Sequence, residues 1–488
     1  MILIRTFPRN FKDLQELVGS RFLSDQLVAC LNQRIDAKIR RIVIEYPYVD
    51  KDYRDTYYND FSKRHGVFDR NCVRLHFFVN EFSDILLDLT NDTYPHFKEG
   101  YRGFIILRDT KVRTIGRSYL DPQVISNRAE GFMCVEKIPA HLRGFNFNAR
   151  AFPWMQQDGN ITRCAHVALW SIIRYFSDKY SYYPEITLHQ ITDMLESEQR
   201  KNPSVGMTIE QIAQVFRDSR FSPGIYFRET MSDNAFNRLL YVIIESGLPY
   251  VATLTQGTGE GHAIAIIGHG PVSDAVAELD GRTGIVDTCE LVDYLIASDD
   301  NHLPYTRVEK NNAHIINKNG HLYAYNNIGA VVVPYYEKMF LDISAIFGGA
   351  NYKGCLELIE NNYLGLPQTG AIVRRVLLTS SKSYKAFMVK HCQDKTLSNL
   401  ISLVEMPKFI WLAEYSLPEE FNNGETGWCV ILDATAMNYQ QDIFIAIRHR
   451  KQLIVNRGVV YPNAETPLEQ YLLETNKGIR YTNNLEAT

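Results

Sequence analysis

Residues 156–173 read Gln-Gln-Asp-Gly-Asn-Ile-Thr-Arg-Cys-Ala-His-Val-Ala-Leu-Trp-Ser-Ile-Ile and pass directly from a polar loop into a helix. Ala168, Leu169, Ile172, Ile173 and Phe176 recur at helical spacing, which predicts a buried, central helix. Thr162 is the expected N-cap, because its hydroxyl can accept a first-turn N–H. Cys164 then lies in the first turn, at the positive end of the helix dipole, where a thiolate is favoured. A thiolate there becomes a working nucleophile only beside a base.

His262 is the best candidate for that base. Between the two, Thr208 with Gln211 forms a capping-box pattern at the start of a second helix, and Asn234 to Ile244 reads as a third. Gly247-Leu248-Pro249 is a Gly-then-Pro helix stop. Tyr250 to Leu254 and His262 to Gly268 are β-branched or small-residue strands separated by a glycine-rich loop. Tyr294 to Ser298 is another strand, and Asp299-Asp300-Asn301 follows it.

In chain order this supplies Gln157, Cys164, His262 and an acid or amide at 299–301. A cysteine hydrolase needs a thiolate to attack a carbonyl carbon, and an imidazole to take and return a proton. It also needs an acid or amide to orient the imidazole, and a Gln side chain with a backbone N–H to hold the oxyanion. The order resembles the bacteriocin-leader-processing peptidases and their relatives in the papain-like superfamily. The resemblance is carried by Gln-Gln-Asp-Gly…Cys-Ala-His-Val-Ala-Leu, Gly-Met-Thr-Ile-Glu-Gln-Ile-Ala, Glu-Ser-Gly-Leu-Pro-Tyr-Val and Gly-His-Ala-Ile-Ala-Ile-Ile-Gly. It covers residues 150–305, and it implies a papain-like core with catalytic Cys164 and His262, Gln157 at the oxyanion, and Asp300 or Asp299 as orienting residue. Asp300 is slightly favoured; Asn301 also qualifies. The pattern departs from the family at Ala165, where Gly is usual, at residues 270–293, which look inserted, and at Gln157, one residue farther from the cysteine than usual, so that Asp158 competes for its role.

Three side chains near these positions have blander explanations. His166 is expected to be structural or at the rim, and His269 should sit at the far end of the histidine strand. Trp154 either lines the cleft or simply packs. His65 and His76, near Glu45, Asp69 and Glu81, are expected to be surface groups and not a metal site.

The rest of the chain bounds this reading. At 488 residues there is room for several domains. A net charge of −4 without a long basic run argues against nucleic acid as a partner. The eight cysteines are scattered and contain no Cys-x-x-Cys pair, so neither a usual zinc site nor a disulfide scaffold is expected. No cofactor is expected. The apolar start is interrupted at Arg5, and no run approaches membrane-spanning length; the cytoplasm is the expected location, with no membrane partner. No phosphate loop of the Gly-x-x-x-x-Gly-Lys-Ser/Thr kind occurs.

The expected fold class is α+β, with a papain-like core at 150–310 between α+β modules at 1–149 and 311–488. The last 25 residues are polar and expected to fray. The expected function is a cysteine peptidase acting through a thioester on a protein or peptide substrate, restrained or directed by its flanking modules or a regulatory partner. Acyl transfer or deamidation by the same residues is the alternative, as is an inactive papain-like scaffold.

Overall fold

The computed structural model describes residues 3–8, 10–81, 89–110, 112, 114–159, 163–195, 206–255, 261–310, 323–349, 352–437, 443–456 and 468–488. Thr162 and the loop at 256–260 lie outside them. The described chain is a mixed α+β structure organised around three large sheets.

The first sheet orders its strands Leu3–Pro8, Arg41–Tyr48, Cys72–Phe78, Tyr101–Leu107, Ser118–Leu120 and Pro153–Trp154, all antiparallel. The apolar positions at 11–31 form the helices Phe11–Val18 and Asp25–Arg34, capped by Asn10 and Ser24. Cys72–Phe78 is buried along its whole length, as a central strand covered on both faces must be. The first sheet ends on Trp154, so it leads directly into the loop before Cys164.

The central sheet runs Phe221–Phe227, Ile328–Tyr336, Tyr250–Thr255, Gly261–His269, Tyr294–Ser298, Thr306–Glu309 and Tyr323–Ala324. Beside it stand the helices Cys164–Lys179, Ile209–Asp218 and Asp233–Glu245. The Thr208–Gln211 capping box forms as expected. The strand Gly261–His269 carries a β-bulge where it pairs with Tyr294–Ser298, between Ile266 and Gly268.

The third sheet contains Gly284–Asp287 and Ala371–Ser380 in parallel, followed antiparallel by Phe409–Ser416, Trp428–Asp433, Phe444–His449, Gln452–Asn456 and Leu468–Leu472.

Strand pairing crosses the boundaries expected from sequence. Ile328–Tyr336 sits inside the central sheet, between Phe221–Phe227 and Tyr250–Thr255. Gly284–Asp287, within the segment that looked inserted, joins the third sheet. Glu486–Ala487 pairs with Phe132–Met133, which itself pairs with the strand holding His262. The end of the described chain is therefore anchored. Tyr481 is fully buried, and its hydroxyl meets Thr379 at 2.8 Å and Ser383 at 2.7 Å. A buried aromatic ring with its hydroxyl satisfied outweighs the polar composition around it.

Candidate active site

Cys164 is the first residue of a 16-residue helix, and the ring of His166 serves the helix start: the Arg163 N–H donates to His166 Nδ1 at 3.4 Å. Burial, opposed by the charge of Asp158, pushes the His166 imidazole down to about 4. His166 is thus a neutral structural acceptor. Almost all the helix beyond it is buried, which fixes the cysteine on a rigid element.

His262 is the second residue of the strand Gly261–His269. The N–H of its neighbour Ala263 donates to Cys164 Sγ at 3.3 Å, so the strand reaches the sulfur through its backbone. His262 is 8 % exposed, and its Nε2 lies 3.0 Å from Asp299 Oδ1. Burial works against its protonation, but hydrogen bonds and charge from Asp299 and Cys164 prevail and raise the imidazole to about 10. With Nε2 turned to Asp299, Nδ1 is the nitrogen left for the sulfur.

The register explains which acid takes this position. Ala265 pairs with Ser298, and one further step sets Asp299 opposite Ile264, on the same face as His262. Asp300 falls on the other phase, and its nearest oxygen is 3.9 Å from His262 Nε2. The structure thus brings Asp299, and not the slightly favoured Asp300, within hydrogen-bond distance of His262. Asn301 is also close, with Nδ2 at 3.4 Å from Nε2.

Asp299 is itself held on several sides. The Asn301 N–H donates to Oδ1 at 3.0 Å, and the Tyr323 hydroxyl donates to Oδ2 at 2.8 Å. Trp154 Nε1 donates to its backbone carbonyl at 2.7 Å. Burial opposes ionisation of Asp299, but the hydrogen bonds from His262 and the Asn301 amide, with the nearby imidazole charge, lower its carboxyl to about 2. Trp154 is 1 % exposed, so it packs and anchors and does not line an open cleft. Sequence reasoning missed Tyr323, which lies 159 residues after the cysteine and carries no local motif.

Gln157 and Asp158 are buried in the loop leading to the helix. Among the described residues no hydrogen bond joins Gln157 to Cys164 or His262. The ligating atoms of His262, Asp299 and Asp300 lie within 4.8 Å of one another, a spacing a cation can bridge. The donors already on Asp299, namely Asn301 N–H, Tyr323 O–H and the raised imidazole, suit a hydrogen-bonded carboxylate better than a metal ligand.

His269 lies at the far end of the same strand, where its Nε2 meets Glu245 Oε2 at 2.6 Å. His76 is fully buried and not at the surface; its Nδ1 meets the Tyr101 hydroxyl at 3.0 Å, and burial lowers it to about 4 against the pull of Glu45. All eight cysteines are free thiols. Burial pushes the thiols of Cys134, Cys289 and Cys429 up to about 12, and those of Cys72 and Cys392 upward as well. Cys164 alone has a histidine–carboxylate pair beside it among the described residues.

In comparisons with known proteins, no family model matches the chain and no curated protein matches it.

Proposed function

We propose that the chain is a papain-like cysteine peptidase with Cys164 as nucleophile, His262 as acid and base, and Asp299 as the residue that orients His262. The observation that carries this reading is the line Cys164–His262–Asp299. A helix-terminal sulfur meets an imidazole whose other nitrogen is held at 3.0 Å by a buried carboxylate.

The chemistry follows from these positions. The Cys164 thiolate adds to the scissile carbonyl carbon, while protonated His262 keeps the positive charge beside it. The oxyanion faces the helix start, where first-turn N–H groups have no intrahelical acceptor. Collapse expels the amine, which takes the His262 proton, and leaves a thioester on Cys164. Neutral His262 then removes a proton from water, the hydroxide adds to the thioester carbonyl, and the acid leaves as the thiolate re-forms. Asp299 keeps its negative charge throughout and stabilises the imidazolium.

The test is mapped alkylation. Iodoacetamide at neutral pH, followed by peptide mass mapping, should modify Cys164 well ahead of the other seven cysteines. The solvent-exposed Cys30 is the internal comparison. Labelling of Cys164 no faster than that of Cys30 would overturn the reading. Product masses from a peptide library then separate cleavage from deamidation.

A further inference from the structure

A cleft of about 540 Å³ opens between the C-terminal end of the cysteine helix and the start of the helix Ser381–His391 on the third sheet. That volume is in the usual range for small-ligand sites, roughly 300–1,000 Å³. It lies away from the reacting groups: Cys164 and Lys179 occupy opposite ends of one helix, which puts them about 22 Å apart at 1.5 Å per residue.

Two kinds of side chain converge there. Lys179, Lys338, Lys382 and Lys408 line the cleft, in a chain whose net charge is −4. Among the described residues none of the four has a carboxylate partner. The one acid in the lining, Glu337, accepts the Tyr182 hydroxyl at 2.6 Å. Lys179 donates to the Tyr175 hydroxyl at 2.8 Å, and the exposed Lys338, Lys382 and Lys408 present their positive charge to the cleft. The other wall is aromatic. Tyr336 and Phe409 stack with centroids 4.3 Å apart, and Tyr180 and Tyr182 present partly exposed rings at 38 % and 51 %. At the start of the helix Ser381–His391 the Ser381 N–H donates to the Lys408 carbonyl at 3.1 Å and the Ser383 N–H to the Ser380 hydroxyl at 3.1 Å, while the Lys382 N–H has no acceptor within the helix.

We infer that this cleft binds a small ligand joining a flat aromatic ring to a multiply charged anion, the chemistry of a nucleoside diphosphate or triphosphate. The ring lies against Tyr180 and Tyr182, and the phosphates bridge Lys382, Lys408 and the helix start. The site is independent of the peptidase chemistry and does not require Cys164.

The test is calorimetric titration of the full chain with ADP, GDP, CDP and UDP separately, and with inorganic pyrophosphate. At least one nucleoside diphosphate should bind at one site per chain. The exposed pair Lys382→Glu and Lys408→Glu, with folding checked by circular dichroism, should weaken it by about tenfold or more, as expected for lost charge-assisted contacts. Tyr180→Ala should weaken the nucleotide and leave pyrophosphate unchanged, and Cys164→Ala should leave both unchanged. Failure of all four nucleotides to bind at millimolar concentration would overturn the inference. So would binding indifferent to the lysine pair, or pyrophosphate binding as tightly as every nucleotide.

Discussion

The strand Gly261–His269 holds two histidines, each facing a buried carboxylate, and the two pairs differ in what surrounds them. His262 meets Asp299 at 3.0 Å on one side and the Cys164 sulfur on the other. His269 meets Glu245 at 2.6 Å, but its Nδ1 is closed off by the Gly270 carbonyl at 2.7 Å. Glu245 is shared with Arg375, whose guanidinium also reaches Glu414 at 2.6 Å and the Tyr481 carbonyl at 2.7 Å. Burial opposes ionisation of Glu245, but Arg375 and His269 lower its carboxyl to about 2. A histidine–carboxylate pair is therefore not in itself a catalytic device. At His269 both ring nitrogens are taken, one by Gly270 and one by Glu245, which Arg375 ties to the third sheet, whereas at His262 one ring nitrogen is left facing the Cys164 sulfur.

The sharpest way to break this contrast is to remove each histidine in turn. His262→Ala should slow alkylation of Cys164 by a peptide chloromethyl ketone by about 10²- to 10⁴-fold, the usual worth of a positioned acid–base group. His269→Ala should leave that rate within a few-fold once folding is confirmed. Equal losses would erase the distinction.

The second contrast is stability. Arg375→Ala strands Glu245 and Glu414 in the interior, and loss of one partner of a buried ion pair costs about 3–5 kcal/mol. Urea unfolding should show that loss, while the alkylation rate of the folded fraction stays near wild type. Unchanged stability would mean that the Arg375 network is not what ties the sheets together.

Between adjacent acids the difference should be smaller. Asp299→Asn should slow alkylation by about tenfold or more through loss of imidazole orientation and charge, and Asp300→Asn should have little effect. The reverse ranking would restore Asp300 as the orienting residue.

The subtlest expectation concerns pH. The His262 imidazole is raised from 6.5 to about 10 in the fold. Its contribution to stability is complete below about pH 6.5 and fades as pH rises through about 10. Asp299 is lowered from 3.8 to about 2, so its contribution is complete above about pH 3.8 and is lost as pH falls through about 2. The His262 ring proton followed by NMR should titrate near 10 in the wild type and move toward 6.5 in Asp299→Asn.

Local periodicity made much of this visible in the sequence. The helix from Cys164, the strand with His262 and the strand ending at Ser298 each announce themselves through apolar spacing and Gly or Pro stops, and the α+β class follows from them. The choice between Asp299 and Asp300 did not, because it rests on the pairing of Ala265 with Ser298, a contact between distant segments. Tyr323 was invisible for the same reason. The strand Ile328–Tyr336 looks like any buried strand, and nothing within it records that its partners are Phe221–Phe227 and Tyr250–Thr255. The polar run near Tyr481 hid a buried ring whose value comes from Thr379 and Ser383, about a hundred residues earlier.

The bulge between Ile266 and Gly268 has one more effect. His262 and His269 are separated by an odd number of positions, so an uninterrupted strand would aim them at opposite sides of the sheet. The extra residue resets the alternation: Ile266 is opposite Ala297, Gly268 opposite Ile296 and His269 opposite Leu295. Both histidines consequently fall on the same phase of the strand despite their odd separation. Deleting Ile267 alone would restore strict parity. The two histidines would then be an even number of positions apart, so a regular strand would keep both on one face, with His269 still opposite Leu295 and directed at Glu245.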